Sequence, residues 1–562
     1  MPILRQLPHI AVGMRRLLST SVPSPIFDVV IVGGGVVGAA LAARLATLPS
    51  LRAASICLVE ARAAAPPPAA GAAADARTYA LSPTSIAFLE SSKSWAPVAA
   101  SNRVKAFNRM SVWETEGPAR LSWGAPGGGS LGTMVEHNTL AGVLWDRLTD
   151  LHAEGRITLK SGAQTTGKPL TLSALSIPLP LGGRATLTGG SLAELTLSDG
   201  FSLRARLVVG ADGANSAVRT LGGGTVWGGA YASQAAVVDI VRIVQTESNA
   251  DSDSAEAETA SAPASASAST SSTAFQRFLP DGPLALLPMW GGLASVVWST
   301  TPERARSLAT LSPTDFAAAV DAALHHNDDD KERRKAGEGK GEDLMMTAPI
   351  YLSLTDALTA LAHGLSRALP KSTSPPPPPP PHVIAVDAQV QGQLYPNAPK
   401  AFNTPTPTSK PILFRSVIPL SLKLADAIVR PRLALIGDAA RSMHPLAGQG
   451  LNQGLLDAAA LADAVGAAAA AGGDAGSPRA LHEYATARSL PGAAAARGVD
   501  AVLRLWAGRP EGALGADLGA RAPHRAWQRG GLLPALRALA LSVLDAVPGG
   551  KAALAAAAGV RS

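Results

Sequence analysis

The apolar positions along the chain fall into two patterns. Short unbroken runs rich in β-branched residues occur at 27–32 (FDVVIV), 55–59 (SICLV), 207–209 (LVV) and 433–436 (LALI). Runs of this length and composition predict strands buried on both faces, as in a parallel sheet. Each is followed at once by glycine or an acid: Gly33-Gly34-Gly35, Glu60, Gly210-Ala211-Asp212-Gly213 and Gly437-Asp438. The second pattern is helical. Ala39 to Leu45, and the Ala/Leu-rich stretch that follows Gly454, predict helices able to pack closely. Further strand-like runs, Gly282 to Pro288 and Ala294 to Trp298, predict a second sheet in which Trp298 is a core residue. Strands alternating with helices predict an α/β chain.

Several stretches break these patterns. Residues 245–273 are rich in Ser, Ala and acids and read as a disordered insertion. Residues 325–343 form a solvated charge run, and 371–410 contain the consecutive prolines Pro375 to Pro381, a stiff linker or loop. From about Trp506 onward the chain is Ala/Gly/Leu-rich and reads as peripheral helix. The chemistry-bearing blocks lie on both sides of these interruptions, so the interruptions read as loops of one fold.

Composition narrows the classes. The formal net charge is +7, and no basic stripe interleaved with aromatics occurs, so no nucleic-acid partner is expected. Arg5, Arg15 and Arg16 lie in an acid-free, Ser-containing segment that resembles a mitochondrial transit peptide, expected over 1–24. Cys57 is the only cysteine, which excludes an intramolecular disulfide and a thiolate metal cluster and suits a reducing compartment. Within its apolar run Cys57 reads as a packed small residue. The most apolar late stretch, Leu532 to Val547, carries Pro534, Arg537 and Asp545 and does not read as a membrane span. His325-His326 precedes Asp328, Asp329 and Asp330, but a charge run lacks a fixed scaffold, so no metal site is expected there.

The first strand opens onto Gly33-x-Gly35-x-x-Gly38 and then a helix, the context a dinucleotide fingerprint requires. Gly33 permits the tight turn, Gly35 lets the backbone approach a pyrophosphate, and Gly38 lets helix and strand pack closely. The helix N-terminus offers N–H groups and partial positive charge to the phosphates. Glu60 ends the next strand, where a carboxylate can hydrogen-bond ribose hydroxyls. The fingerprint by itself does not separate FAD from NAD.

The three blocks taken together decide that point by resemblance. The fingerprint, the Gly210-Ala211-Asp212-Gly213 block and the Gly437-Asp438 block, in this order, resemble the group A flavoprotein monooxygenases, the family of 4-hydroxybenzoate hydroxylase. Asp75-x-Arg77-x-x-Ala80-Leu81-Ser82, Gly282 to Pro288, Ala439 to Gly454, and Tyr484, Arg488 and Asp500 are similar to the ubiquinone-biosynthesis hydroxylases within it. The resemblance implies FAD as cofactor, held by Gly33, Gly35, Gly38, Glu60, Arg77, Asp212, Gly437, Asp438, Gly450 and Asn452. It implies a flavin-proximal loop of His444, Pro445, Gly448, Gln449, Gly450 and Asn452, with no assigned catalytic base and no metal. The fold it implies is a Rossmann-like FAD-binding domain (25–225 and 431–505, with substrate-domain segments interleaved in the first part), a β-sheet substrate domain (mainly 226–430) and C-terminal helices (506–562). The implied reaction is hydroxylation at C5 of a polyprenylated 4-hydroxybenzoate by O2. Implied partners are other coenzyme Q biosynthesis proteins and ferredoxin with its reductase. The implied location is peripheral, on the matrix side of the mitochondrial inner membrane. An NADPH-reduced hydroxylase of another hydrophobic substrate and a flavin-stabilised scaffold subunit are the alternative readings.

Overall fold

The computed structural model describes residues 24–62, 66–69, 72, 74–115, 120–162, 172–176, 192–244, 272–325, 380–386 and 415–507. The first apolar run is strand β1 (Ile26–Val32), followed by helix α1 (Val36–Thr47) and strand β2 (Ile56–Glu60). Helix α2 (His137–Ala153) leads into β3 (Thr158–Ser161), and β4 (Ser202–Gly210) follows. After the long strand β5 (Val226–Val244) the chain returns through β6 (Leu433–Leu435) to helices α3 (Gln449–Ala470) and α4 (Pro478–Ala507).

The first sheet has the spatial order β6, β4, β1, β2, β3, every neighbouring pair parallel. An antiparallel strand Val429–Arg430 edges it beside β6. Val29, Val30 and Ile31 of β1 and Ala39 to Ala43 of α1 are wholly buried, as is Cys57. Burying a Val or Ile side chain contributes about 1.5–3 kcal/mol, and these runs are buried on both faces. The alanines let α1 lie against α3, whose Ala458 and Ala462 are wholly buried in the same core.

The second sheet is mostly antiparallel. In order it contains Arg441–Ser442, Ser416–Ala425, β5, Leu293–Thr300, Gly282–Pro288, Thr273–Leu279, Arg109–Glu114 and Arg120–Gly124. Helices Pro302–Thr310 and Pro313–His325 cover it through Leu308, Phe316, Val320 and Leu324, which pack with Val237, Val296 and Trp298. Trp298 is wholly buried, the core role its pattern predicts. A small sheet of Thr78–Leu81, Gly132–Glu136 and Val104–Phe107 lies in the chain between β2 and α2, and Thr78 Oγ1 donates to Ser295 Oγ of the second sheet at 2.9 Å.

Three expected boundaries shift. Thr273 opens a strand, and His325 ends a helix. His382–Ile384, inside the expected 371–410 loop, pairs with the end of β5. Backbone pairing to an existing edge overrides the proline-rich context here. Apart from 272–273, 325 and 380–386, those three insertions, the first 23 residues and everything after Ala507, including Leu532 to Val547, lie outside the described residues. Among the described residues no helix is long and apolar enough to cross a membrane.

Candidate cofactor site

Sheet register brings the motifs together. Val32 of β1 pairs with Val59 of β2 and with Gly210 of β4, and Gly210 pairs with Leu435 of β6. The residues that follow, Gly33, Glu60, Ala211-Asp212 and Ile436-Gly437-Asp438, therefore leave one sheet edge side by side. This is the carboxyl edge of a parallel sheet, with connections diverging on either side of β1, where α/β folds place ligands.

The glycine turn divides into crowded and open positions. Gly33 has φ +108°, and a Cβ there would lie 2.3 Å from the Ala211 carbonyl oxygen. A Cβ on Gly38 would lie 2.0 Å from the Gly33 oxygen, so this helix cannot approach the strand with a larger residue. Gly35 is different: a Cβ there would meet nothing within 4 Å. It is also the N-cap of α1 with no side chain capping it. Glu60 accepts the Gly34 N–H through Oε2 at 2.5 Å and the Arg62 N–H through Oε1 at 3.1 Å. Trp145 of α2 donates its indole N–H to the Gly34 oxygen at 2.9 Å and closes the other side of the turn.

A second helix N-terminus meets the first. Gly448 (φ +60°) is the N-cap of α3 and makes no side-chain cap bond, and a Cβ on Gly450 would meet nothing within 4 Å. Gly454, one turn further on, faces both Val37 of α1 (2.7 Å from its notional Cβ) and Gly437 (3.1 Å). Gly437 itself has φ +58°. Gly437-Asp438 thus sits between two uncapped helix starts, each carrying partial positive charge. A ligand with a phosphate at one end and an electron-rich ring at the other matches this arrangement.

The comparisons with known proteins agree with this geometry. Residues 387–499 match the family model described as an FAD binding domain. The chain is 30% identical over 493 residues, 87% of its length and 88% of the relative's, to the mitochondrial ubiquinone biosynthesis monooxygenase COQ6 of Xenopus tropicalis. The chain belongs to the ubiquinone biosynthesis monooxygenase family. It is also 28% identical, over 78% of each chain, to 3-demethoxyubiquinol 3-hydroxylase of Escherichia coli. The crystal structure of p-nitrophenol 4-monooxygenase PnpA from Pseudomonas putida shares the fold, with TM-score 0.50, 16% identity, and coverage of 93% of this chain and 100% of that one. The chain is therefore an FAD-dependent monooxygenase.

Within this monooxygenase the remaining predicted residues divide by what they touch. Asp438 is open to solvent, yet the surrounding protein pushes its carboxyl above the usual range, with Arg77 pulling it the other way. Arg77, exposed, lies 5.8 Å from the Tyr79 ring. Tyr79 Oη is 2.9 Å from His137 Nδ1. Burial pushes the Tyr79 phenol up to about 12, and burial with the Arg77 charge pushes His137 down to about 4. Tyr79 lies two residues from Arg77 in the chain, and the fold brings His137 beside both.

Asp212 and Asn452 play inward roles. Asp212 accepts from Ser216 Oγ (2.6 Å) and from the Ala217 and Val218 N–H groups (2.7 and 3.1 Å), capping a short helix. Arg219 of that helix donates to the Ala439 carbonyl at 2.7 Å and so locks the Asp212 block to the Gly437-Asp438 block. Asn452, expected as a cofactor ligand, is buried. Its Oδ1 accepts from Ser82 N and Ser85 Oγ, and its Nδ2 donates to the carbonyls of Ala80 and Gly448. All of its amide is committed within the protein, so it fixes the start of α3 and leaves no amide group for a cofactor.

His444 is buried, and its Nδ1 accepts the Leu446 N–H at 3.0 Å, capping the turn Pro445–Ala447. That fixes the proton on Nε2, which has no partner among the described residues. Behind Gly437 lies a charge cluster whose centre, Asp457, carries no motif signal, although Arg441 and Arg488 fall in the family pattern. Asp457, wholly buried, binds Arg441 (2.7 Å) and Arg488 (2.8 Å) through Oδ1 and accepts the Gly437 N–H through Oδ2 at 3.1 Å. An acid in the Ala/Leu run of α3 was the available signal.

Proposed function

We propose that this monooxygenase hydroxylates C5 of a polyprenylated 4-hydroxybenzoate-type ring, with FAD laid along the sheet edge from Gly35 to Gly450. The observation that carries the FAD placement is the pair of uncapped helix starts flanking Gly437-Asp438 at the register-aligned strand ends, and the substrate rests on the family resemblance. In this reading the open space at Gly35 admits the pyrophosphate against the N-terminus of α1. Glu60 stands by the adenosine ribose, and Asp438 accepts hydroxyl protons from the sugar chain. The N-terminus of α3 would offer preorganised N–H donors to the flavin ring. Asp212, Asn452 and His444 hold these groups in place. Bound FAD supplies the oxygen activation, and the chain supplies binding, orientation and exclusion of water.

The second sheet is the proposed substrate domain, and an apolar channel is required for the prenyl tail. The acid-free, Arg-containing N-terminal segment and the mitochondrial relative support a mitochondrial location. On the resemblance, the protein sits peripherally on the matrix side of the inner membrane, among coenzyme Q biosynthesis proteins, with electrons from ferredoxin and its reductase. The test is product analysis. The FAD-loaded chain is incubated with ferredoxin, its reductase, O2 and polyprenyl-4-hydroxybenzoate, and the product ring is mapped by NMR. A new hydroxyl at C5 is expected. A hydroxyl at another position, or no product while another hydrophobic phenol is turned over with NADPH alone, would overturn the assignment.

A further inference from the structure

Far from the motifs, the second sheet brings together three ligand-type side chains. Asp321 and His325 occupy one turn at the C-terminal end of helix Pro313–His325, and His382 opens the strand paired with β5. One ligand atom from each lies within 4.8 Å of the other two. We propose that Asp321, His325 and His382 form a binding site for a divalent cation of the zinc type. The His325-His326 run with its following acids does not by itself predict this; the fold joins His325 to two different partners.

The distances fit a shared ion. Asp321 Oδ1 lies 3.5 Å from His325 Nδ1 and 3.0 Å from His382 Nδ1. Bonds of about 2.0–2.1 Å in tetrahedral array place ligand atoms roughly 3.3–3.5 Å apart. The second observation is the surroundings of His325. Its Nε2 is 3.0 Å from the Pro380 carbonyl, and its Nδ1 is 2.9 Å from the Asp321 carbonyl. Both neighbours are acceptors only. With Nε2 donating to Pro380, the Nδ1 position faces the Asp321 carbonyl and carboxylate oxygens, an anionic surrounding that takes a proton or a metal ion at Nδ1. Donation of the other ring N–H to a backbone carbonyl is the outer-shell bond that metal-binding histidines use to fix their tautomer.

Other groups hold the ligands ready. The Val383 N–H donates to Asp321 Oδ1 at 2.9 Å, fixing the carboxylate against the strand. The two imidazole rings stack with centroids 4.2 Å apart and 16° between their planes, and both Nδ1 atoms lie near the same carboxylate, so a turn of one ring about χ2 is what brings both lone pairs onto one ion. Pro380 and Pro381 precede His382 and restrict its backbone. The helix C-terminus adds partial negative charge. Two imidazoles and one carboxylate form a donor set suited to zinc, with water completing the shell. The site would staple the proline-flanked strand to the helix that covers the sheet.

The test uses the full chain with its FAD, prepared without a polyhistidine tag, stripped with chelator and titrated calorimetrically with Zn2+. One Zn2+ per chain is expected, with binding at least tenfold weaker in His325→Ala and in His382→Ala while the flavin spectrum is unchanged. Zn2+ should raise the unfolding temperature of the wild-type chain and not of the variants. Co2+ reads the ligands without mutation: visible bands of tetrahedral nitrogen and oxygen ligation are expected. Absence of stoichiometric binding, full binding in both variants, or an aquo-like Co2+ spectrum would overturn the site.

Discussion

His444 shows how one residue couples the site to pH. Its Nδ1 is committed to the Leu446 N–H, and its ring is buried without a charged partner, so protonation is opposed by burial and its pKa falls from 6.5 to about 3. His137 falls to about 4, chiefly by burial and further by Arg77. In the unfolded chain both titrate near about 6.5. Below that value the unfolded state binds more protons, so the stability these groups contribute is complete above about 6.5 and is lost as the pH falls toward their folded values. Urea midpoints measured from pH 7 to pH 4 should therefore decline, and His444→Gln should flatten the decline. An unchanged slope in that variant would remove His444 from the account.

At the scale of elements, the join between α3, α4 and the Gly437 turn rests on Asp457. One buried carboxylate serves two buried guanidiniums, and Tyr484 of α4 donates to the Leu435 carbonyl at 2.7 Å beside them. Removing one partner of a buried ion pair leaves an uncompensated charge and costs about 3–5 kcal/mol. Asp457→Ala, with two arginines left behind, should lose at least that in urea unfolding. It should also shed flavin, because the Gly437 N–H loses its anchor. A loss below about 1 kcal/mol, the range of a surface pair, would mean the cluster is solvated. Arg441 packs directly on α4, where a Cβ on Gly492 would lie 2.2 Å from its guanidinium carbon, so a larger residue at 492 would displace it.

Across the whole molecule, what could be read in advance follows from where information sits in the chain. The buried strands and the glycine fingerprint were legible because their cause is local: a run that must be apolar on both faces, then a turn that admits only glycine. Trp298 and Cys57 were legible for the same reason. The Asp457 cluster was not, because its partners lie 16 and 31 residues away and meet only after α3 and α4 pack. Asn452 was legible as part of a motif but not in its role, since Ser82 and Ser85 reach it across more than 360 residues. His382 stood in a proline-rich stretch whose edge pairing no local pattern announces. The central claim is that FAD spans the two helix starts with Asp438 between them. The most direct measurement is the ratio of bound flavin to protein in Gly35→Val and Asp438→Ala, both at positions whose side chains fill no core. The account predicts folded chains, unchanged in far-ultraviolet circular dichroism, that hold a small fraction of the wild-type flavin; full flavin in either variant would contradict it.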